Sequence, residues 1–431
     1  MRECPPTRAL ESLVALDPES LPAGTDPRLS FRYIDISAAA NGRLTLPNDA
    51  IEYRDAPSRA RRVLRNGDVL MATVRPNLRA FAYCDLPEGN FVASTGFAVL
   101  RAMNGADPHF ILCAILSDDL SRQIDRYVVG SNYPAINSSD VRRLQLPAFE
   151  PEEQRGIGRV ITTLDKAIEQ TEALIAKTQQ IKAGLMHDLF TRGVTANGQL
   201  RPPREEAPQL YKESPLGWIP KEWDARPLSE ITDLITVGIV IRPAQYYVAE
   251  GVPAFRSANI REDGIDPSNM VFISPQSNAL LSKSQVRGGD VLSVRTGYPG
   301  TSAVVPPEYA GANCIDLLIS RPADCLRSAY LTAWINSPFG KEQVLRKQGG
   351  LAQQHFNVGE LRDLFVAVPS VPEQDEIAAR LCAVNGRLAE EGSLANKFGA
   401  VKHGLMHDLL TGRVRVPVAE AQKVGAQGGA Q

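Results

Sequence analysis

Lysine is missing from the first 150 residues, cysteine is sparse throughout, and no long apolar run occurs anywhere in the 431 residues. The longest uncharged stretch, residues 267–282, spans 16 positions, is polar and holds two prolines, which excludes a membrane-spanning helix. The opening Met1-Arg2-Glu3-Cys4-Pro5-Pro6 lacks the apolar core of a secretory signal. Six cysteines, at 4, 84, 113, 314, 325 and 382, form no C-x-x-C pair. That excludes a zinc cluster and a disulfide framework and fits a reducing cytoplasm. A net charge of −2 and a pI near 6.3 exclude a diffuse positive field. Any nucleic-acid affinity must come from local patches or from partners. In residues 1–150 every positive side chain is one of 17 arginines, set against 18 acids. Guanidinium suits bidentate contact with phosphate or guanine, although coding bias gives the same preference.

What is present is a duplication. Lys182-Ala183-Gly184-Leu185-Met186-His187-Asp188-Leu189-Phe190-Thr191 returns as Lys402-His403-Gly404-Leu405-Met406-His407-Asp408-Leu409-Leu410-Thr411, 220 residues later. The same offset pairs Glu153-Gln154 with Glu373-Gln374, Asn137 with Asn357, and Gln123 with Gln343. From 117 to 191, 20 of 75 positions are identical without a gap. Further upstream the offset becomes 222, and Gly67-Asp68-Val69-Leu70 matches Gly289-Asp290-Val291-Leu292. A period this long is a copied module, not a solenoid.

Each copy holds about 150 residues of mixed character with short strand-like runs broken by Gly, Pro and Asn, then a long helix. The predicted layout is a mixed domain at 1–150, a helix at 151–193, a linker at 194–217, a second mixed domain at 218–371, a helix at 372–413 and a disordered tail at 414–431. Ile157, Val160, Ile161, Leu164, Ile168, Leu174, Ile175, Ile181, Leu185 and Leu189 form an apolar stripe. About 38 residues at ~1.5 Å rise make a helix of roughly 57 Å. Its natural partner is its own repeat, with Ile377, Leu381, Val384, Leu388, Leu394, Phe398, Val401, Leu405 and Leu409. Helix contact and subunit docking are assigned to Ile157, Leu164, Ile168, Leu185, Met186, Ile377, Leu381, Leu388, Leu405 and Met406. Gly386, Gly392 and Gly399 predict a kink or phase shift near Gly392. The fold class expected is α+β: two mixed domains joined by two long antiparallel helices in a pseudo-twofold arrangement.

A proline, then Glu-Gln, then an Ile/Leu stripe closing on Lys-x-Gly-Leu-Met-x-x-Leu-(Leu/Phe)-Thr resembles the helical regions of type I restriction–modification specificity subunits. The pattern stands at Pro151…Thr191 and at Pro372…Thr411. Gly217-Trp218-Ile219-Pro220-Lys221-Glu222-Trp223 is similar to the usual opening of a target-recognition domain in that family, an opening that the first copy lacks. The resemblance implies a non-catalytic DNA reader with two target-recognition domains, each reading half of an interrupted site, and helices that fix the spacer. It implies docking of two modification subunits, which carry S-adenosylmethionine and methylate adenine. It further implies restriction subunits using ATP and Mg, with no cofactor bound by this chain.

The catalytic alternatives are weak on residues. Asn336-Ser337-Pro338-Phe339 lacks the first proline of an adenine-methyltransferase signature, and its counterpart at 116–119 shares no chemistry. His187 and His407 are each read without a second ligand at i+4, as structural or subunit-contact residues. Gly297-Tyr298-Pro299-Gly300 has no P-loop lysine and reads as a turn. Candidate DNA contacts are Arg75, Asn77, Arg79, Ser131, Asn132 and Tyr133 in the first copy. In the second they are Arg256, Asn259, Arg295, Tyr298, Gln353, Gln354 and His355. The alternatives left open are a standalone DNA methyltransferase or nuclease fragment and a coiled-coil scaffold that does not bind DNA.

Overall fold

The computed structural model describes residues 5–128, 134–346 and 355–417. The chain forms two compact units, Met1–Glu172 with Ser393–Gln431, and Ala173–Gly392. Each unit therefore holds one mixed domain and a part of both long helices, Pro151–Thr191 and Val371–Leu410.

The two mixed domains repeat the strand order of one antiparallel sheet and place a parallel strand pair in a second sheet beside it. In the first unit an antiparallel sheet runs Val14–Leu16, Phe97–Ala102, Val69–Ala72, Phe81–Tyr83. A second sheet runs Ile51–Glu52, Ser30–Ile34, Phe91–Ser94, Ala60–Leu64, with its two middle strands parallel. The second unit has Thr232–Val237, Leu317–Pro322, Val291–Val294, Ser302–Val304, and a second sheet in which Val252–Phe255 runs parallel to Asn313–Cys314. The Gly-Asp-Val-Leu repeat now has a cause. Asp68 and Asp290 are buried carboxylates, each gripped bidentately by the arginine 220 residues from the other's, Arg101 and Arg321, at 2.8–2.9 Å. A buried carboxylate persists only with such a partner.

The helices bury a seam in steps of four and three: Ile157, Ile161, Leu164, Ile168, Thr171, Ile175, Thr178, Lys182, Leu185, Leu189. The second helix repeats it from Ile377 to Leu409, through Leu381, Leu388, Glu391, Lys402 and Leu405. That is the 3.5-residue repeat of coiled coils. It corrects the expected stripe. Leu174 and Ile181 are 39% and 50% exposed, as are their repeats Leu394 and Val401 to a similar degree, whereas Thr178 is 2% exposed. Phase, not apolarity alone, selects the seam, and its middle is polar. Thr178 donates to Glu391, which also accepts from Arg387. In the first unit Lys402 donates to Asp165. Each unit thus pairs its two helix segments antiparallel: 153 meets 415 and 165 meets 402 in one, 178 meets 391 in the other.

The predicted kink is absent. The second helix is continuous, and its seam keeps phase through Gly392. A Cβ at Gly386, Gly392 or Gly399 would meet nothing within 4 Å. These glycines face open space and lower helix propensity by about 1 kcal/mol each, too little to undo a packed helix.

The Glu-Gln pair fastens each helix to its surroundings. Gln154 accepts from Asp107 N and donates to Phe149 O; Gln374 accepts from Arg327 N and donates to Pro369 O and Cys325 O. Both glutamines are buried. Glu153 and Glu373 each capture an arginine from beyond the end of the opposite helix, Arg415 and Arg201. Residues 194–217 are accordingly not a free linker. Arg201 is buried between Glu373 and Glu222, Tyr211 is buried, and Tyr211–Ser214 pairs with Gly217–Pro220. Proline-rich composition marked the segment as a spacer, but its charges are used in pairing. At the other end, Arg415 and Val416 pack on Glu153 and Gly156, and 418–431 lie outside the described residues.

Arg201 and Glu373 are both nearly inaccessible, whereas Arg415 is largely exposed. Glu373→Ala should therefore cost about 3–5 kcal/mol, since it breaks a buried pair, leaves Arg201 with Glu222 alone and takes the acceptor from Val194 N and Trp223 Nε1. Glu153→Ala should cost about 0–1 kcal/mol. Urea midpoints of the two variants check the contrast.

Candidate nucleic-acid interface

In each unit several of the positions that differ between the copies lie at one edge of the antiparallel sheet. In the second unit Val237 pairs with Leu318 and Val294 with Leu317. Three chain segments therefore leave together: 238–242, the turn 295–301, and Asp316. The parallel strands of the other sheet bring Arg256 to the same place, since Ile315 N donates to Phe255 O. His355 and Phe356 are tied in by Phe356 N donating to Arg295 O at 2.9 Å. The first unit does the same with Asp17, the turn 73–79, Gly96 and Asp35. Ile136 N donates to Thr73 O, and Arg75 N donates to Pro134 O.

Backbone strain marks this edge. Among the described residues, the positive-φ positions that are neither glycine nor asparagine are Asp17, Arg75, Arg79, Arg242 and Asp316. All five lie on these segments. Left-handed backbone costs a non-glycine residue about 1–3 kcal/mol and collects at functional sites.

The frame is common and the side chains are not. Thr73 donates to the Gly96 carbonyl in the first unit; in the corresponding places Arg295 donates to Asp316 at 2.8 Å. Asp35, paired with Arg59, stands where the second unit has Arg256, which donates to Asn269 O. The resulting surfaces differ in charge order and in hydrogen-bonding groups, which is what direct reading of bases requires.

Of the sequence candidates, Arg75 and Asn77 are exposed on the turn after Val69–Ala72. Arg79 turns back, donating to Asp118 and Ser121 at 2.9 Å, and its guanidinium holds the Asp118 carboxyl below the usual carboxylate range. Arg295 and the exposed His355 lie on adjoining segments, and His355 Nδ1 shares a hydrogen bond with Thr296 Oγ1 at 2.9 Å. Tyr298 is 83% exposed at the turn's tip. Ser131, Asn132, Tyr133, Gln353 and Gln354 lie outside the described residues. Asn259 is a correction. It is fully buried; its Oδ1 accepts from Arg256 N, and its Nδ2 donates to Asp266 O and Ser268 O. Its residue type suggested base contact, but its valences are consumed by the local turn.

Sequence reading missed Asp316, Asp35, Arg59 and Arg242. The repeat could have found Asp316, because it aligns with Gly96 as Arg295 aligns with Thr73. It also missed that His403 stands four residues before His407. Both line one hollow with Asp118, and His403 Nε2 is 3.8 Å from its carboxylate. The motif Asn336-Ser337-Pro338-Phe339 is a break between two helices, with Asn336 bonded to both backbone atoms of Ser302.

The chain resembles named proteins over both copies. It is 21% identical over 302 residues to the type I restriction enzyme MjaVIII specificity subunit of Methanocaldococcus jannaschii, covering 67% of this chain and 66% of that one. It is 22% identical over 319 residues to the putative MjaX specificity subunit of the same organism, covering 73% and 69%. It thus spans about two thirds of these relatives' lengths. The EcoBI specificity subunit of Escherichia coli is 24% identical over 255 residues, 57% of this chain and 52% of the relative. A chain from a solved assembly of the type I R-M system superposes with a TM-score of 0.57 at 25% identity, over 96% of this chain and 100% of that one. The type I S subunit of M. genitalium shares the fold, with a TM-score of 0.56 at 14% identity, over 94% and 96%. No family model matches. These likenesses are all to specificity subunits of type I restriction enzymes or to a chain of a type I R-M assembly.

Because Asn259 is consumed internally, Asn259→Ala should lower the unfolding midpoint, by about 1–3 kcal/mol for the acceptors left unpaired. Its discrimination between cognate and mismatched duplexes should not change. Parallel denaturation and duplex-binding measurements check both halves of this statement.

Proposed function

We propose that this chain is the non-catalytic DNA reader of a type I restriction–modification complex, with each unit reading one half of an interrupted site. The observation carrying this is the doubled sheet edge: one strand frame, strained backbone at the exits of both, and different side chains at matching places. A module copied once, with its main sheet kept and the side chains at that sheet's edge changed, suits two unlike half-sites. A coiled-coil scaffold would have no use for that divergence.

Two modification subunits are the proposed partners. Each unit carries the same apolar pair outside its helix seam, Leu174 and Ile181 in one, Leu394 and Val401 in the other. Exposed apolar side chains one heptad apart on a helix offer an anchor for another helix. Their doubling favours two docking places, one on each unit. Chemistry then belongs to the partners: S-adenosylmethionine on the modification subunits, ATP and Mg on restriction subunits. Among the described residues of this chain there is no group of three metal-ligating side chains, and no helix is long and apolar enough to cross a membrane.

Three outcomes are expected. The purified chain transfers no methyl group and cuts no DNA, but restores adenine methylation when mixed with its modification subunits; turnover by the chain alone would contradict the reading. Leu174→Asp reduces the complex from two modification subunits to one, as read by light scattering after gel filtration. Arg295→Ala relaxes one half-site only. If Arg295 reads a base, discrimination falls by about 1–3 kcal/mol with the salt slope kept. If it holds a phosphate, all duplexes weaken alike and the slope falls by about one.

A further inference from the structure

The second unit closes one junction with rings. Trp334 stacks on Phe339 at 5.8 Å, Phe190 meets Trp334 edge-on at 5.1 Å, His187 lies 6.1 Å from Phe339, and Trp223 is fully buried beside them in the same core. The first unit keeps the backbone of this junction. Gln123 and Gln343 each clamp the same strand position, at Gln145 and Phe365, and the strand pairs Thr7–Pro147 and Ala225–Ala367 correspond. Yet the repeat puts Ala114 for Trp334, Asp119 for Phe339 and Leu410 for Phe190, and the strand register puts Pro5 for Trp223.

The lost ring volume is not refilled. In its place is a hollow of about 330 Å³, walled by Leu116, Leu120, Leu146 and Met406. Protein cores do not keep such space without cost, because the lining atoms lose their contacts. Its size lies at the lower end of ligand pockets. At the mouth stand two carboxylates. Arg79 holds that of Asp118 below the usual carboxylate range, so it stays ionised; His403 is its other neighbour. Asp119 is exposed and meets Arg122 in an i,i+3 pair of the weak, solvent-screened kind.

We propose that this hollow is a docking socket for an aromatic side chain of a modification subunit. The second unit shows what fits, since its own indole and phenyl rings fill the equivalent space. Each carboxylate at the mouth already has its own arginine, so the ring rather than a charge is what the hollow selects. The socket gives one unit a contact that the other has plugged. In a complex with two copies of one partner, it makes the two seats unequal. The existence of the socket does not rest on DNA reading, but the identity of its occupant rests on the proposed function above.

The test restores the missing rings in the full chain, as Asp119→Phe and, independently, Ala114→Trp, and uses free indole as the probe. Wild type should bind indole saturably in protein-observed NMR, and excess indole should loosen one modification subunit but not the other. Both plugged variants should lose indole binding and the tighter seat, while duplex binding and the unfolding midpoint stay at or above wild type. Indole binding that survives the plug, or assembly indifferent to it, overturns the proposal. So does indole binding with no effect on assembly, which would make the occupant a free small aromatic. If one variant fails to fold, the other decides. If modification subunits do not bind wild type at all, the functional reading fails, and indole binding still decides whether a socket exists.

Discussion

A buried glutamine at the start of each long helix joins recognition to geometry. Gln154 and Gln374 have no water to bond with, so each must satisfy both ends of its amide on backbone atoms of the adjoining domain. Swinging a domain away from its helix segment would break those bonds in a dry place. Each sheet edge is therefore held by its own helix segments rather than hung from a linker. Burial of Arg201 against Glu373 extends the same logic to the chain that follows the first helix.

Duplication explains why the two units can be alike in architecture and unlike in chemistry. Positions with internal work repeat: Asp68 and Asp290 with their arginines, the two glutamines, the seam leucines. Positions at the sheet edge carry little of the packing, which leaves them free to drift. Thr73 and Gly96 against Arg295 and Asp316 show the result in a single pair of places. Divergence inside the core follows the opposite rule, and where it occurs, as at Ala114 and Trp334, it leaves a hollow that needs an occupant.

Much of the architecture was legible in the residues. The repeat, the two helices and the mixed domains follow from identity at a fixed offset and from apolar spacing. What was not legible depended on partners distant in sequence. Residues 194–217 read as a linker because composition cannot show that Arg201 meets a glutamate 172 positions away. Leu174 and Ile181 read as seam because apolarity is visible and phase against a partner is not. Asn259 read as a base contact because its type was visible and its burial was not. The candidate loop residues were chosen by type, but the frame that brings Arg75 beside Pro134, or Arg295 beside Asp316, exists only once the sheets are formed.

The central claim is that two readers, each fixed to its own stretch of one helix pair, recognise two half-sites at a spacing set by that pair. Its most direct test is genome-wide mapping of methylated adenine with a chain carrying one extra heptad in each long helix, placed after Ala176 and after Asn396, which correspond in the repeat. A whole heptad keeps the seam in phase and adds about 10 Å of helix, about three base-pair steps. The account predicts methylation at the same two half-sites separated by a longer spacer. An active enzyme with an unchanged spacer, or with altered half-sites, would contradict it.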